Sequence, residues 1–179
     1  MWLALDVLNP ETAGHHRILI LEDVLAKKRG SIRDVPAARA ILMFATTLAD
    51  CTAEKGLCAR MNTVATDVLP QGGLLVAVLI ESAENISKAR TEVLAVHLAF
   101  PVTGDSHRIV RHALQIDRPG EMIMINSQGR LVRFPDGFEK AWNPRKASDS
   151  RSQQDEDRKV EDVRRVFLSA LVRDKEDEQ

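Results

Sequence analysis

The stretch from Gly72 to Ala83, GGLLVAVLIESA, places the tightest limit on what this chain can fold into. Its aliphatic run must leave water, yet it falls short of the roughly 20 apolar residues that span a bilayer. It also stops on Glu81, so it reads as a buried strand or helix inside a domain. Four further short aliphatic segments follow: EVLAVHLAFPV (92–102), RIVRHALQI (108–116), EMIMI (121–125) and RLVRF (130–134). Each is bounded by turn residues and reads as a strand. NSQGR, between the last two, fits a hairpin turn in which Gly129 takes a positive φ.

The first half has a different texture. MWLALDVL (1–8) reads as a short strand or helix closed by Asn9-Pro10, and RILILEDV (17–24) as a buried strand. Asp34 and Pro36 look like a helix start. Behind them, Ala37, Ile41, Phe44 or Ala45, Leu48 and Cys51 fall at helical spacing, with Gly56 as the helix C-cap. LCARMNTVATDVL (57–69) reads as a second helix, stopped by Pro70, and ENISKAR (84–90) as a helical turn. The expected class is α+β or mixed α/β, with helices mainly in the first half, a sheet mainly from the second half and a C-terminal amphipathic helix. Residues 1–142 form one domain, 143–156 a polar linker and 157–173 the terminal helix. In that helix Val160, Val163, Phe167 and Leu171 share one face, a candidate partner-binding surface.

Composition fits one domain with an aliphatic core. The chain has 179 residues, 44% hydrophobic but only 4% aromatic, with no Tyr. A formal charge of −1 creates no overall attraction to nucleic acid or membrane. MWLALDVLNP carries Asp6 and has no basic start, so no secretory signal is read and the expected location is cytoplasmic. Cys51 and Cys58 are not at a close metal or redox spacing and read as reduced thiols.

Chemistry-bearing residues are few. Glu22-Asp23, at the end of an apolar segment, could bind Mg²⁺ with the help of a phosphate, or orient a water. Lys88, Arg90, Arg108, Arg111, Arg118, Arg130 and Arg133 could form a basic stripe on a sheet face, suited to phosphate backbones. Aromatic stacking partners for single strands are scarce. The five histidines (15, 16, 97, 107 and 112) show no metal-ligand spacing, and no nucleophile elbow is present.

These residues carry two resemblances. Phospho-acceptor receiver domains also begin with a strand ending in paired acids. The comparison assigns Asp67 as the acceptor, but it meets His97 where Ser or Thr is expected and Arg118-Pro119 in place of Lys-Pro. LVAVLIESAENISKAR (75–90) and INSQGRLVRFPDGFEKAW (125–142) together resemble the C-terminal part of OLD-like ABC-type ATPases of bacterial defence systems. That resemblance implies that RILILEDV is a Walker B strand, with Glu22 as metal ligand and Asp23 as the acid that orients water. It also implies Mg²⁺ and ATP held together with a partner chain.

The chain has no G-x-x-x-x-G-K-[ST], no signature motif and no switch His, so it cannot cradle a nucleotide by itself. The expected function is therefore a non-catalytic protein–protein interaction or assembly subunit, ATPase-like, without a cofactor of its own and working with a protein partner or as a homo-oligomer. A split ATPase subunit supplying Glu22 and Asp23 is the alternative. Nucleic-acid binding ranks behind both, and an independent enzyme is not expected.

Overall fold

The computed structural model describes residues 3–25, 38–105, 107–132 and 150–176. Among them, seven strands form one mixed sheet: β1 (Ala4–Val7), β2 (Ile18–Ile20), β3 (Ala40–Thr46), β4 (Gly73–Leu79), β5 (Val102–Gly104), β6 (Met122–Ile125) and β7 (Leu131–Val132). Their spatial order is β2-β1-β5-β4-β3-β6-β7. The central strands β3, β4 and β5 run parallel, while β1, β2, β6 and β7 add antiparallel pairs at both sides.

Every residue of β3 and β4 is buried. The pleat sends alternate side chains to opposite faces, and helices cover both. Leu42, Phe44, Leu75, Ala77 and Leu79 meet the layer that includes α3 (Leu57–Val68), α4 (Ala83–Ala95) and α6 (Ser150–Glu176). Ile41, Met43, Ala45, Leu74, Val76 and Val78 meet α1 (Leu21–Leu25) and α5 (Ile109–Leu114) on the other face. With few aromatics, packing falls on aliphatics, and the edge-to-face pair of Phe44 and Phe100, 5.6 Å between centroids, is a local exception.

The mixed α/β class and the C-terminal amphipathic helix are as expected from sequence. The elements interleave more evenly than that reading had them, with three strands within the first 46 residues. Residues 40–46 form β3, although they were read as helix. A strand buried on both faces has no period-2 alternation, so its apolar residues also satisfy a helical spacing. Residues 92–95 end α4, and 109–114 form α5. RILILEDV supplies only the three-residue β2 before turning into α1 at Leu21. Residues 57–68, the stop at Pro70 and the hairpin at Gly129 (φ 72°) agree with the sequence reading.

Val163, Phe167 and Leu171 are buried in the core layer, and Val160 packs beside them. The face read as partner-binding is thus already covered by the chain's own fold. Arg60 pairs with Asp157 at 2.7 Å and Arg164 with Asp67 at 2.8 Å, tying α6 to α3. The expected linker overlaps this helix, since residues 150–156 are helical; 143–149 lie outside the described residues.

Candidate functional site

In open α/β sheets, the carboxyl ends of parallel strands are where loops can gather chemistry. β3 ends at Thr46, and Thr47 caps the short helix α2 (Leu48–Thr52). Thr47 is extended (φ −94°, ψ 160°), and its hydroxyl oxygen accepts the Asp50 N–H at 3.2 Å. Glu81, two residues beyond β4, reaches across so that Oε1 accepts the Leu48 N–H at 2.9 Å. Asn85 Nδ2 donates to its Oε2 at 3.3 Å. The first turn of α2 is therefore satisfied by two side chains, one from the neighbouring strand's end.

The chain then doubles back. Gly56 is needed there because a Cβ would sit 1.8 Å from the Asp50 carbonyl oxygen. This close approach seats α3 beside α2, with Gly56 as the N-cap of α3 and not the C-cap of a longer helix. It brings Cys51 of α2 against Cys58 of α3. Both thiols are free and both are fully buried. Burial pushes the Cys58 thiol well above its ordinary pKa; its contact with Cys51 and the nearby Cys51 and Asp50 charges add to this, while the Thr46 hydroxyl opposes it. Burial also raises the Asp50 carboxyl, offset by the Leu57 N–H, the Thr46 hydroxyl and the Arg60 charge.

A reactive cysteine needs access and stabilisation of its thiolate, often from a helix N-terminus. A C-x-x-C motif at a helix start meets that need with two cysteines. Here Leu48 stands three residues before Cys51, and Glu81 takes up its N–H. The second thiol comes from α3. Six residues separate the cysteines in sequence, so no close redox spacing marks the pair. The signal lay in Thr46-Thr47 before a helix start and in Gly56 between the two cysteines.

The other candidates lie elsewhere. Glu22 and Asp23 sit in the first turn of α1, behind an antiparallel strand at one side of the sheet. Glu22 borders a cavity of about 280 Å³ with Leu21, Leu25 and Ile125. No group of three or more His, Cys, Asp or Glu positioned to hold a metal occurs among the described residues. Asp67 lies within α3, not at a strand end, and His97 in the loop after α4. The arginines form no sheet stripe: Arg111 is on α5 and holds the buried Asp105 at 3.1 Å, and Arg90 is on α4, 3.8 Å from Asp6. Arg133 is outside the described residues.

No family model matches the sequence, and no curated protein matches it significantly. Solved structures do match. An uncharacterized conserved protein from Geobacillus kaustophilus superposes with a TM-score of 0.60 at 15% identity, covering 96% of this chain and 79% of that one. The pneumococcal exposed lipoprotein thioredoxin of Streptococcus pneumoniae gives 0.55 at 10% identity, over 76% and 90% of the two chains. DsbF of MTB, solved in mixed oxidized and reduced forms, gives 0.50 at 11% identity, over 90% and 94%. The fold is thioredoxin-like.

This architecture overturns the kinship with OLD-like ABC-type ATPases. With it go the readings that leaned on that kinship, the ATPase-like assembly subunit and the split ATPase, and the nucleic-acid alternative is set aside as well. The Walker B assignment of Glu22 and Asp23 falls with that kinship; their reading as paired acids at the end of an apolar run stood apart from it, and the structure places both in the first turn of α1. The physical reason is topological: β2 is a short antiparallel strand at the end of the sheet order, where a Walker B strand would be a long parallel one. No helix among the described residues is long and apolar enough to cross a membrane.

Proposed function

We propose that the chain works in thiol–disulfide chemistry, with Cys51 and Cys58 as its redox pair. The observation that carries this reading is the contact of the two thiols beside the helix that follows the central parallel strand β3. Its likeness to a lipoprotein thioredoxin and to a DsbF supports the same direction.

In the reductive direction, one cysteine thiolate attacks a sulfur of a target disulfide. The target's other sulfur leaves and takes up a proton, and a mixed disulfide remains. The second cysteine then attacks the first cysteine's sulfur. A Cys51–Cys58 disulfide forms, and the target departs as two thiols. The reverse sequence oxidises a target dithiol. Sulfur atoms carry both electrons, so no metal or nucleotide enters the balance. Burial favours the thiol form of Cys58, so attack through that sulfur should accelerate as pH rises.

The test is exchange with a synthetic peptide disulfide. Reduced protein should release two peptide thiols per chain and acquire a disulfide mapped to Cys51 and Cys58. Cys51→Ser and Cys58→Ser should each stop the reaction at or before the mixed disulfide. Unchanged peptide after prolonged incubation with reduced protein at alkaline pH would sink the reading.

A further inference from the structure

Two fully buried thiols cannot meet a target sulfur while the fold is closed. Something must move, and the elements around the pair differ in what holds them. Cys58 belongs to α3, twelve residues long, with six buried side chains and ion pairs to α6. Cys51 belongs to α2, five residues long, whose one buried side chain is Cys51 itself. Leu48 is half-buried and Ala49 exposed. The loop behind α2, Ala53 to Lys55, is exposed as well.

Apolar contact at α2 comes down to Cys51 and the partly buried Leu48, and polar bonds supply the rest of what holds it shut. The Thr47 hydroxyl takes the Asp50 N–H, a cap within the same segment. Glu81 takes the Leu48 N–H from 33 residues away, and Asn85 of α4 holds the other oxygen of that carboxylate. The Glu81 bond has a charged acceptor and spans two elements, so it is the stronger and the more directional of the two helix caps; the Asp50 carboxyl, which takes the Leu57 N–H, ties α2 to α3 as well and must let go when α2 opens.

We infer that α2 is a gate over the thiol pair, latched by Glu81 from the end of β4, and that the thiols become reachable by local opening of this gate and not by unfolding of the domain. The inference takes its purpose from the thiol–disulfide reading, but the gate itself is a matter of burial and capping. Opening releases the first turn of α2, bares Cys51 and uncovers Cys58 behind it. α3 and α6 stay docked, because nothing in their packing depends on the Leu48 N–H. Such openings draw on the least stable parts of a fold. A target that supplied its own acceptor to the Leu48 N–H would hold the gate open while exchange proceeds.

The experiment is alkylation of the native reduced protein by a small thiol reagent, followed residue by residue by mass spectrometry. Alkylation reads exposure whether or not the pair exchanges with disulfides, so failure of the gate and failure of the redox reading are separable. Glu81→Ala should speed modification of both thiols by about five- to tenfold, the scale of a lost helix cap. Glu81→Gln keeps a neutral acceptor and should stay within about twofold of wild type. Val163→Ala, which loosens α6 and leaves α2 untouched, should leave the rates unchanged at concentrations where the protein stays folded. An unaltered rate in Glu81→Ala overturns the gate. So does a rate that tracks global stability across all three variants, since the thiols would then be reached through unfolding alone.

Discussion

Two regions on the same face of the sheet are held by different physics. Around α6, three fully buried side chains and two ion pairs to α3 fix a helix of 27 residues. Around α2, five residues with one buried side chain and the partly buried Leu48 are held mainly by polar bonds: two caps and the Asp50 carboxyl on the Leu57 N–H. Apolar burial at about 25 cal/mol per Å² gives the α6 region a large, non-directional stabilisation. Capping gives the α2 region about 1 kcal/mol per bond, released as soon as the bond breaks. The contrast assigns stability to one region and accessible chemistry to the other.

The largest expected effect breaks the rigid side. Phe167→Ala empties a fully buried aromatic site and should cost about 3–5 kcal/mol in denaturant titrations. A loss below about 1 kcal/mol would show that α6 is not part of the core. Oxidising the pair acts on the other side. A Cys51–Cys58 disulfide closes a short loop and should add up to about 2.5 kcal/mol by restricting the unfolded chain, read as a higher denaturation midpoint in the oxidised protein.

Gly56→Ala comes next. Its Cβ would strike the Asp50 carbonyl, backbone that cannot swing aside, so the turn between α2 and α3 must shift. A cost of about 1–3 kcal/mol is expected, together with faster thiol alkylation. A stability loss without that acceleration would detach Gly56 from the gate.

Asp50 gives a smaller, pH-dependent effect. Its folded pKa is raised by burial, so the protonated form is favoured on folding. That contribution is full below the ordinary aspartate range and is lost as pH rises through the raised value. Wild-type stability should therefore decline somewhat from about pH 4 toward neutrality through this group, and Asp50→Asn should flatten that slope. Urea midpoints across the interval decide it, and a wild-type slope retained in Asp50→Asn assigns it to another group. The smallest effect is Asp157→Ala. It removes the partly exposed Arg60 pair and should cost about 0.2–1 kcal/mol, less in high salt.

The legible parts of the fold were those where local signals and tertiary context agree. Residues 57–68 have helical spacing and a Pro stop, and 126–130 carry hairpin turn chemistry with Gly129. The terminal helix showed its apolar face plainly. Residues 40–46 were misread for a physical reason: a strand with helices on both sides loses the alternation that would mark it. Helix α5 was misread because its six residues are too few to establish a period. Glu22-Asp23 drew attention because paired acids after an apolar run are a common phosphate-site pattern, yet the run turned into a helix after three strand residues.

The thiol pair was invisible for a different reason. Its partners are joined by a turn that depends on what Gly56 lacks, and its control comes from Glu81, distant in sequence. Neither relation is a spacing motif. The Thr46-Thr47 step before a helix start was the local clue, and it marked the cap without revealing what lay beneath.

The most direct measurement is a redox titration of the native protein against glutathione buffers of stepped composition, with acid quenching, alkylation and intact-mass analysis. The account expects a single transition between a form with two alkylatable thiols and one that has lost two hydrogen atoms, with the new bond between Cys51 and Cys58 and absent in Cys51→Ser. Two thiols that remain alkylatable at every ratio, including fully oxidised glutathione at equilibrium, would contradict it.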